Sequence, residues 1–445
     1  MLAAFIWAAE VAAAPYTVTI GDGHADALYR VGEKARFTLT AKDLAKDSAS
    51  SGGVVSVTID NFGDKVFLRK DWNPSEEPVL TVEGSLDEPG FLRVKAISSP
   101  SAKSRLWGMG NGNGYDCWSV GYEPEKIKAG SARPADFDAY WDGERARLER
   151  EVPLDMRKTK VDAMCDDSFD VWKLSCATFN GKRTWGFLVV PKQAKGPLPL
   201  HINVPGAGPA LSEAGTKSFK KPGEIHLILN VHPYEPAKDI EGQKKLYQEQ
   251  DRVYAKKYGC NYAIAGGFIG KEEFFFHDAL LGIDRAVTWV VALPEVDRKK
   301  VLYSGGSQGG GVGIMLCALN PSITRACFFV PALTDLCGFK AGRQSGWPLL
   351  VERQRNDKAK EAAASVAPYF DAAHFAPRVK IPLHVVLGFS DTTCPPACVY
   401  AAYNAFGSND KIIRNVPGMG HGVVPAIRQA TEEWLSASPG CDNMR

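Results

Sequence analysis

The sequence predicts an α/β protein in which a mostly parallel sheet, covered by helices on both faces, follows an N-terminal antiparallel β-sandwich. Three observations lead to this prediction. Short segments of alternating apolar and polar residues fill roughly the first hundred positions, strands and helices alternate further on, and the later strands are continuously apolar. Alternation is typical of half-buried antiparallel strands, whereas continuously apolar strands occur in parallel sheets that are buried on both faces.

Length, composition and charge indicate a globular protein without a polyanionic partner. The chain has 445 residues, of which 45% are hydrophobic and 23% are charged, so it can bury a large core. A net charge of +2 provides little attraction for a polyanion, and we expect no nucleic-acid partner. No apolar run approaches the roughly 18 residues that span a bilayer, so we expect no membrane span.

Residues 1–14 are interpreted as the remnant of a secretory signal peptide. The apolar run from Leu2 to Ala9 is followed by Val11-Ala12-Ala13, which matches the small-residue pattern of a cleavage site. No basic residue precedes the run and Glu10 interrupts it, so a truncated or mis-started N-terminus is the alternative. On the first interpretation the protein is secreted or periplasmic.

Residues 15–120 are predicted to form an immunoglobulin-like β-sandwich. Five segments carry β-branched or aromatic residues at every second position, and clusters of turn-forming residues separate them. These segments are YTVTI (16–20), ARFTLT (35–40), VVSVTID (54–60), PVLTVEG (78–84) and FLRVKAI (91–97). Strands at this spacing are typical of an antiparallel sandwich. The glycine-rich stretch 108–114 is interpreted as a loop or linker.

Residues 121–440 are predicted to form a catalytic α/β domain. A helix is expected after Pro134, because apolar residues recur at helical spacing from Phe137 to Leu148. Apolar strands are predicted at 184–190, 198–204, 226–231, 301–303 and 383–387, and further helices at 277–293 and 425–435. Strands that alternate with helices in this way build a parallel sheet with helices on both faces.

The ten cysteines indicate neither a metal site nor a redox motif. They form no C-x-x-C motif and none lies at zinc-ligand spacing from a histidine, so we expect no metal and no other cofactor. Two pairs are close enough in sequence to be disulfide candidates, and the sequence does not decide whether either bond forms. These pairs are Cys165 with Cys176 and Cys394 with Cys398.

The sharpest functional signal is Gly305-Gly306-Ser307-Gln308-Gly309, which follows an apolar strand and precedes a glycine-rich helix. G-x-S-x-G in a strand–turn–helix context is the nucleophile elbow of α/β-hydrolases. The glycines let the strand and the helix pass closely, so the serine hydroxyl is lifted above the sheet beside the N–H groups of a helix N-terminus. A glycine-rich packing turn is the alternative. We predict that Ser307 is the nucleophile.

An acid and a base follow in the chain order of this fold, which is serine, carboxylate, histidine. Asp391 lies just after the predicted strand 383–387, and His421 lies between glycines ahead of the C-terminal helix. We expect Asp391 to orient the imidazole of His421, which deprotonates Ser307 so that an acyl-enzyme forms. The alternatives are a helix N-cap for Asp391 and an ordinary loop position for His421.

The oxyanion hole is assigned to two backbone N–H groups. One belongs to Gln308, directly after the nucleophile, and the other to Ala207 in the loop 205–208 that follows the strand 198–204. A simple glycine turn at 205–208 is the alternative. Two further histidines that could approach the site are His232 and His277. The histidines on predicted strands, for which a structural role is favoured, are His201, His226 and His384.

Together these segments resemble the acetyl xylan esterase/cephalosporin-C deacetylase family of carbohydrate esterases. The segments that carry the resemblance are RPADFDAYW (133–141), PEVDRKKVLYSGGSQGGG (294–311), GFSDTTCPP (388–396), AAYNA (401–405) and GHG (420–422). The resemblance implies an α/β-hydrolase with the triad Ser307, Asp391 and His421. It also implies removal of acetyl groups from carbohydrate hydroxyls, such as those of xylan, without a cofactor.

Two features depart from the family pattern. Family members commonly carry His-Gly-Tyr at the oxyanion loop, where this chain has Pro205-Gly206-Ala207, so an aromatic wall is lost while backbone donation is kept. The β-rich N-terminal region is absent from shorter members and resembles the extra domain of longer bacterial relatives. The oligomeric state is therefore left open.

Two other functions are weighed against a carbohydrate deacetylase. One is a different α/β-hydrolase, such as a serine peptidase, a lipase or a general small-ester hydrolase. About 100 residues before Gly121 are too few for the propeller of a prolyl-oligopeptidase-like peptidase, and the candidate lid 233–262 is too charged for a lipase. The other is a glycan-binding protein with a degenerate hydrolase domain, which the intact, ordered serine, aspartate and histidine argue against.

Overall fold

The computed structural model describes residues 16–20, 24–41, 54–97, 115–193 and 196–437. Within them, a region of β-strands precedes a nine-stranded sheet that helices accompany. The predicted signal segment 1–14 and the glycine-rich stretch 108–114 lie outside the described residues. None of the described helices combines the length and the apolar character that crossing a bilayer requires.

The described N-terminal residues contain two β-sheets that contact each other. Its strands are β1 (Tyr16–Ile20), β2 (Leu28–Tyr29), β3 (Ala35–Ala41), β4 (Val55–Asp60), β5 (Val66–Trp72), β6 (Val79–Gly84), β7 (Gly90–Ile97) and β8 (Tyr115–Tyr122). They form a three-stranded sheet, β1-β3-β6, and a five-stranded sheet, β2-β8-β7-β4-β5. The hydroxyl of Tyr122 on β8 donates to the carbonyl of Gly84 on β6 at 3.1 Å, which joins the two sheets.

All five strands predicted for this region are present, and the structure adds three. The most instructive addition is β5, an edge strand with the sequence VFLRKDW whose side chains are exposed at most positions. Because only one face of an edge strand meets the core, charged residues are tolerated and the apolar alternation is weak. Strand β8 ends at Tyr122, just past the domain boundary predicted at residue 120.

The nine-stranded sheet and its helices confirm the predicted mixed α/β fold. Its strands are β9 (Arg157–Lys160), β10 (Phe169–Ala177), β11 (Arg183–Pro191), β12 (Leu198–Val204), β13 (Ile225–Asn230), β14 (Val296–Gly306), β15 (Arg325–Phe329), β16 (Leu383–Gly388) and β17 (Lys411–Val416). The strand order is β17-β16-β15-β14-β12-β13-β11-β10-β9. The five pairs from β17 to β13 are parallel, and the three pairs that add β11, β10 and β9 are antiparallel.

Helices accompany this sheet, and the nucleophile motif leads into the most deeply buried of them. The helices are α1 (Phe137–Glu151), α2 (Ile240–Tyr258), α3 (Phe275–Val291), α4 (Gln308–Leu319), α5 (Asp357–Val366), α6 (Ala372–Phe375), α7 (Pro396–Ala405) and α8 (Pro425–Ser436). Every residue of α4 is buried, because its small glycines let it pack closely on β12, β14 and β15. The parallel strands and α4 therefore form the rigid base of the candidate site.

The N-terminal region packs directly onto the segment that carries Asp391. The ring of Phe91 on β7 lies edge-on to the ring of Phe389, with centroids 5.0 Å apart. The hydroxyl of the fully buried Ser119 on β8 donates to the carbonyl of Phe389. Asn61, after β4, donates to the carbonyl of Gly342 at 3.0 Å. The two parts of the chain thus meet next to the predicted catalytic acid.

The cysteines do not form the disulfides considered from the sequence. Cys165, Cys176, Cys394 and Cys398 are all free thiols. The thiol of Cys176 lies 3.6 Å from the carbonyl of Gly282, and that of Cys398 lies 3.2 Å from the carbonyl of Gln344. These two thiols are therefore each in contact with a backbone carbonyl of a distant part of the chain.

Candidate active site

The turn between β14 and α4 holds Ser307 in a strained conformation. Its backbone φ is +55°, a region that residues with a side chain rarely adopt. A Cβ atom on Gly309 would stand 2.0 Å from the carbonyl oxygen of Val204, and one on Gly305 would stand 2.6 Å from that of Gly309. Glycine is therefore required on both sides of the serine, since β12, β14 and α4 pass too closely for any larger residue.

The structure brings the three predicted triad residues together. The hydroxyl oxygen of Ser307 lies 2.9 Å from Nε2 of His421, and Nδ1 of the same imidazole lies 2.8 Å from Oδ2 of Asp391. Nδ1–H therefore donates to the carboxylate, which leaves Nε2 free to accept the proton of the serine hydroxyl. This geometry is that of a nucleophile, a general base and an orienting acid in one hydrogen-bonded line.

The backbone of its own loop holds the carboxylate of Asp391. Asp391 is fully buried, and its Oδ1 accepts the N–H groups of Thr393 and Cys394 at 2.8 and 2.9 Å. The loop after β16 is in turn joined to the histidine loop, because Ser390 N–H donates to the carbonyl of Met419 at 2.9 Å. These contacts place a single oxygen, Oδ2, in front of the imidazole.

The environment of His421 favours its protonated form. Burial by itself would lower the pKa of His421, but the charge of Asp391 and the hydrogen bond to it outweigh burial, so that the pKa is raised above its usual value. A base of raised pKa holds a proton more readily once Ser307 gives it up. A higher pH is also needed for His421 to be neutral, and so able to accept a proton, at the start of the reaction.

The loop that carries Ala207 lies beside the nucleophile. A Cβ atom on Gly206 would be 3.7 Å from Cβ of Ser307, and Ala207 itself is exposed. Gln308 is the first residue of α4, so its N–H is one of the groups that a helix N-terminus leaves without an intrahelical acceptor. The two predicted oxyanion donors thus belong to segments that flank the serine.

Buried side chains support these two segments, and of them the sequence analysis selected only His232. The hydroxyl of Tyr262 donates to Oε1 of Gln308 at 2.7 Å, and both residues are buried. Gln250 Nε2 donates to Nδ1 of His232, whose Nε2–H donates to the carbonyl of Gly208 at 2.8 Å. No local motif marks these positions, since their role depends on how α2 and the segment after it pack below the loop.

The other histidines lie away from the triad. His232 supports the oxyanion loop as described, and burial lowers its pKa to about 4, which keeps it neutral. His277 is buried between two carboxylates, Glu144 at 2.8 Å and Asp278 at 2.8 Å, and so belongs to a network that joins α1 to α3. Of the two histidines considered from the sequence, one therefore acts on the site indirectly and the other holds two helices together.

The thiol of Cys394 lies next to the triad. Donor atoms of Asp391, Cys394 and His421 lie within 4.8 Å of one another, a spacing that would also suit a metal ion. Burial raises the pKa of Cys394 well above its usual value, and the charge of Asp391 raises it further. The thiol is therefore protonated at neutral pH, which makes it both a poor metal ligand and a poor competitor of Ser307.

Comparison with known proteins agrees with this geometry. The model of the family described as acetyl xylan esterase (AXE1) matches residues 123–438. The chain belongs to the acetyl xylan esterase family. It is therefore a carboxylic ester hydrolase, and the family resemblance found in the sequence is confirmed.

Relatives of known name and known structure support this family membership. Acetyl esterase Axe7A of Xylanibacter ruminicola is 28% identical over 389 residues, which are 86% of this chain and 81% of that protein. The crystal structure of acetyl xylan esterase 1 from a Thermoanaerobacterium species is 20% identical with a TM-score of 0.57, covering 71% of this chain and 98% of its own. An acetyl xylan esterase from a Paenibacillus species is 21% identical with a TM-score of 0.58, covering 70% and 98%. The likeness to these two structures confirms the mixed α/β fold.

Proposed function

We propose that this member of the acetyl xylan esterase family is a serine esterase that removes acetyl groups from carbohydrate hydroxyls through an acyl-enzyme. The observation that carries the proposal is the line Asp391–His421–Ser307, with hydrogen bonds of 2.8 and 2.9 Å. The names of the relatives, acetyl esterase and acetyl xylan esterase, favour acetyl as the acyl group. The proposed chemistry uses no metal and no organic cofactor.

In the first half of the reaction, Nε2 of His421 takes the proton of Ser307 while the serine oxygen attacks the acetyl carbonyl carbon. The carbonyl oxygen becomes an oxyanion that the N–H groups of Gln308 and Ala207 stabilise, at roughly 3 kcal/mol each. The bond to the sugar oxygen then breaks, and the imidazolium returns its proton to that oxygen, so the alcohol leaves and Ser307 carries the acetyl group.

In the second half, a water molecule takes the place of the sugar. His421 accepts a proton from the water as it attacks the acyl carbonyl, and then returns the proton to Ser307 as acetate leaves. In both halves the carboxylate of Asp391 accepts the hydrogen bond of Nδ1–H and so orients the imidazole with Nε2 toward Ser307. Because Ala207 is small and exposed, the oxyanion loop leaves room for a bulky sugar next to the acetyl group.

The region before the catalytic sheet is proposed to be a separate module with a role in positioning. We assign residues 15–120 to an immunoglobulin-like sandwich and residues 121–440 to the catalytic domain. The two sheets in contact with each other support this division, and the contacts of Phe91 and Ser119 with Phe389 support a role next to the acid loop. A purely glycan-binding protein is disfavoured by the intact triad geometry.

The test is the substitution Ser307→Ala, assayed by acetate release from acetylated xylo-oligosaccharides. We expect kcat to fall by at least about 10³-fold while far-ultraviolet circular dichroism stays unchanged, because only one oxygen atom is removed. The matched control is Ser345→Ala, which changes a fully buried serine whose hydroxyl accepts the N–H of Phe339. A Ser307→Ala enzyme within tenfold of the wild-type kcat would exclude Ser307 as the nucleophile.

The substrate class is tested separately with a panel of esters. Acetylated sugars, acetylated xylan, longer acyl esters and peptide substrates are compared by kcat/KM. We expect acetylated carbohydrates to exceed the longer acyl esters and the peptides. A preference for peptides or long acyl chains would indicate the alternative considered from the sequence, a different α/β-hydrolase such as a peptidase or a lipase. The roles of the triad residues would be unaffected.

A further inference from the structure

A second cluster of ligating side chains lies on the sheet, away from the triad. His201 on β12 and His226 on β13 are paired residues of neighbouring parallel strands, so their side chains lie on the same face, with ring centroids 5.1 Å apart. Glu224 directly precedes β13 and points its carboxylate at both rings. Its Oε1 is 3.0 Å from Nε2 of His226, and its Oε2 is 3.8 Å from Nδ1 of His201.

The hydrogen bonds of His201 leave one of its nitrogens without a partner. His201 is 3% exposed, and its Nδ1 has no hydrogen-bond partner among the described residues. On the other side of the ring, Nε2 lies 3.0 Å from the hydroxyl of Ser304, which already accepts an N–H of Asn203 at 2.7 Å. With Nε2–H donating to Ser304, the lone pair of Nδ1 faces Glu224. A histidine oriented by a partner on its far nitrogen is the arrangement found in metal sites.

The distances suit a small divalent cation. One donor atom from each of His201, Glu224 and His226 lies within 4.8 Å of the other two. A tetrahedral zinc ion with bonds of about 2.0–2.2 Å needs ligand atoms roughly 3.4 Å apart. One oxygen of Glu224 lies 3.0 Å from Nε2 of His226, and its other oxygen lies 3.8 Å from Nδ1 of His201.

One member of the cluster borders a cavity. Glu224 lines a cavity of about 370 Å³, together with Pro222 and Gly223, so this side of the cluster is next to open space. Lys221 competes for the same carboxylate at 3.9 Å, and Lys299, Lys300 and Arg325 line the cavity wall. These positive charges weaken cation binding, so we expect an affinity below that of a structural site built of four anionic ligands.

We propose that His201, Glu224 and His226 bind one zinc ion that ties β12 to β13 and plays no part in ester hydrolysis. The sequence favoured structural roles for both histidines, and no short spacing joins the three residues. Strand β12 leads from His201 to the oxyanion loop, and β14 leads from Ser304 to Ser307. A bound ion would therefore stabilise β12 directly, and β14 through the contact between His201 and Ser304.

The test measures zinc binding by the full-length chain rather than activity. After treatment with a chelator, the protein is titrated with zinc by calorimetry, and the melting temperature is recorded with and without zinc. We expect one zinc per chain and a higher melting temperature with zinc. Glu224→Gln keeps an oxygen next to His226 but removes the charge, and His201→Gln removes a ligand. Each should weaken zinc binding at least tenfold.

The matched control separates this cluster from the donor set at the triad. His421→Ala removes a donor from the Asp391–Cys394–His421 group and should leave the zinc stoichiometry and the thermal shift unchanged. Cobalt substitution provides an independent measurement, since a site without cysteine shows no thiolate-to-metal charge-transfer band. Zinc binding that is lost in His421→Ala, or kept in both Glu224→Gln and His201→Gln, would overturn the proposal. So would the absence of stoichiometric zinc in wild-type protein that circular dichroism shows to be folded.

Discussion

Replacing Asp391 with asparagine tests the proposed triad without changing the shape of the site. Oδ1 of the new amide can still accept the N–H groups of Thr393 and Cys394, which it meets at 2.8 and 2.9 Å. The group that faces His421 changes from an acceptor to a donor. Nδ1 of the imidazole must then accept a hydrogen bond, so the proton moves to Nε2. An Nε2–H can only donate to Ser307 and can no longer remove its proton.

Two comparable figures, one for general base catalysis and one for a histidine in the wrong tautomer, set the size of the expected loss of kcat. General base catalysis contributes about 10²–10⁴ in rate, and a histidine held in the wrong tautomer costs about 10⁴ in a well-studied serine hydrolase of another fold. We therefore expect kcat to fall by about 10³–10⁴, which corresponds to roughly 4–5.5 kcal/mol of transition-state stabilisation. KM should change little, because the aspartate is fully buried and does not face the substrate.

The dependence of activity on pH provides a second readout, because Asp391→Asn should shift it in a definite direction. His421 must be neutral to act as a base, so activity is lost as the pH falls through its pKa. Burial alone would lower this pKa, and the carboxylate of Asp391 raises it above its usual value. In Asp391→Asn the raising effect is removed while burial stays. The acid limb of the residual activity should therefore move to lower pH.

The assay is acetate release from an acetylated xylo-oligosaccharide across the pH range, with circular dichroism as the measure of folding. The matched control is Asp371→Asn, which changes another fully buried aspartate that accepts backbone N–H groups, those of Asp335, Leu336 and Ala373. We expect the folded control to keep kcat within about tenfold. The reasoning is refuted if Asp391→Asn retains kcat within tenfold of wild type and its acid limb does not move.

Three further predictions concern the surroundings of the triad. Tyr262→Phe removes the 2.7 Å donor to the buried Gln308, which should cost about 1–3 kcal/mol in the free energy of unfolding and lower kcat more than it raises KM. Ser119→Ala removes the donor to the Phe389 carbonyl, with a stability loss of similar size and a lower kcat because the acid loop is less well held. In the wild-type enzyme the raised pKa of His421 should place the acid limb of kcat/KM above about 6.5, the usual histidine value.

Chemical denaturation and acetate release measure the first two effects. Tyr400→Phe, which removes a 2.9 Å hydrogen bond to Asn415, is the control for Tyr262→Phe, and Ser408→Ala is the control for Ser119→Ala. A Tyr262→Phe enzyme with unchanged kcat would show that catalysis does not depend on the hydrogen bond to Gln308. A Ser119→Ala enzyme with unchanged kcat would show that this contact of the N-terminal region does not contribute to catalysis. An acid limb well below 6.5 would contradict the stated balance between burial and charge at His421.

The features that the sequence predicted well are those encoded by neighbouring residues. The elbow around Ser307 depends on glycines two positions to either side, because strand and helix backbones pass within contact distance there. Apolar strands such as β12 and β16 were predicted within one residue of their observed bounds, since burial on both faces requires apolar residues throughout. Asp391 and His421 were found through the chain order that the fold imposes.

Other features depend on which elements the fold brings together. Tyr262 under Gln308, Ser119 against the acid loop, and the His201–Glu224–His226 cluster each join residues from different elements. Sequence patterns report the periodicity and turns of single elements, because those are set by local sterics and burial. Contacts between elements are set by the strand order and by the packing of helices and sheets on one another, and only the tertiary structure decides these.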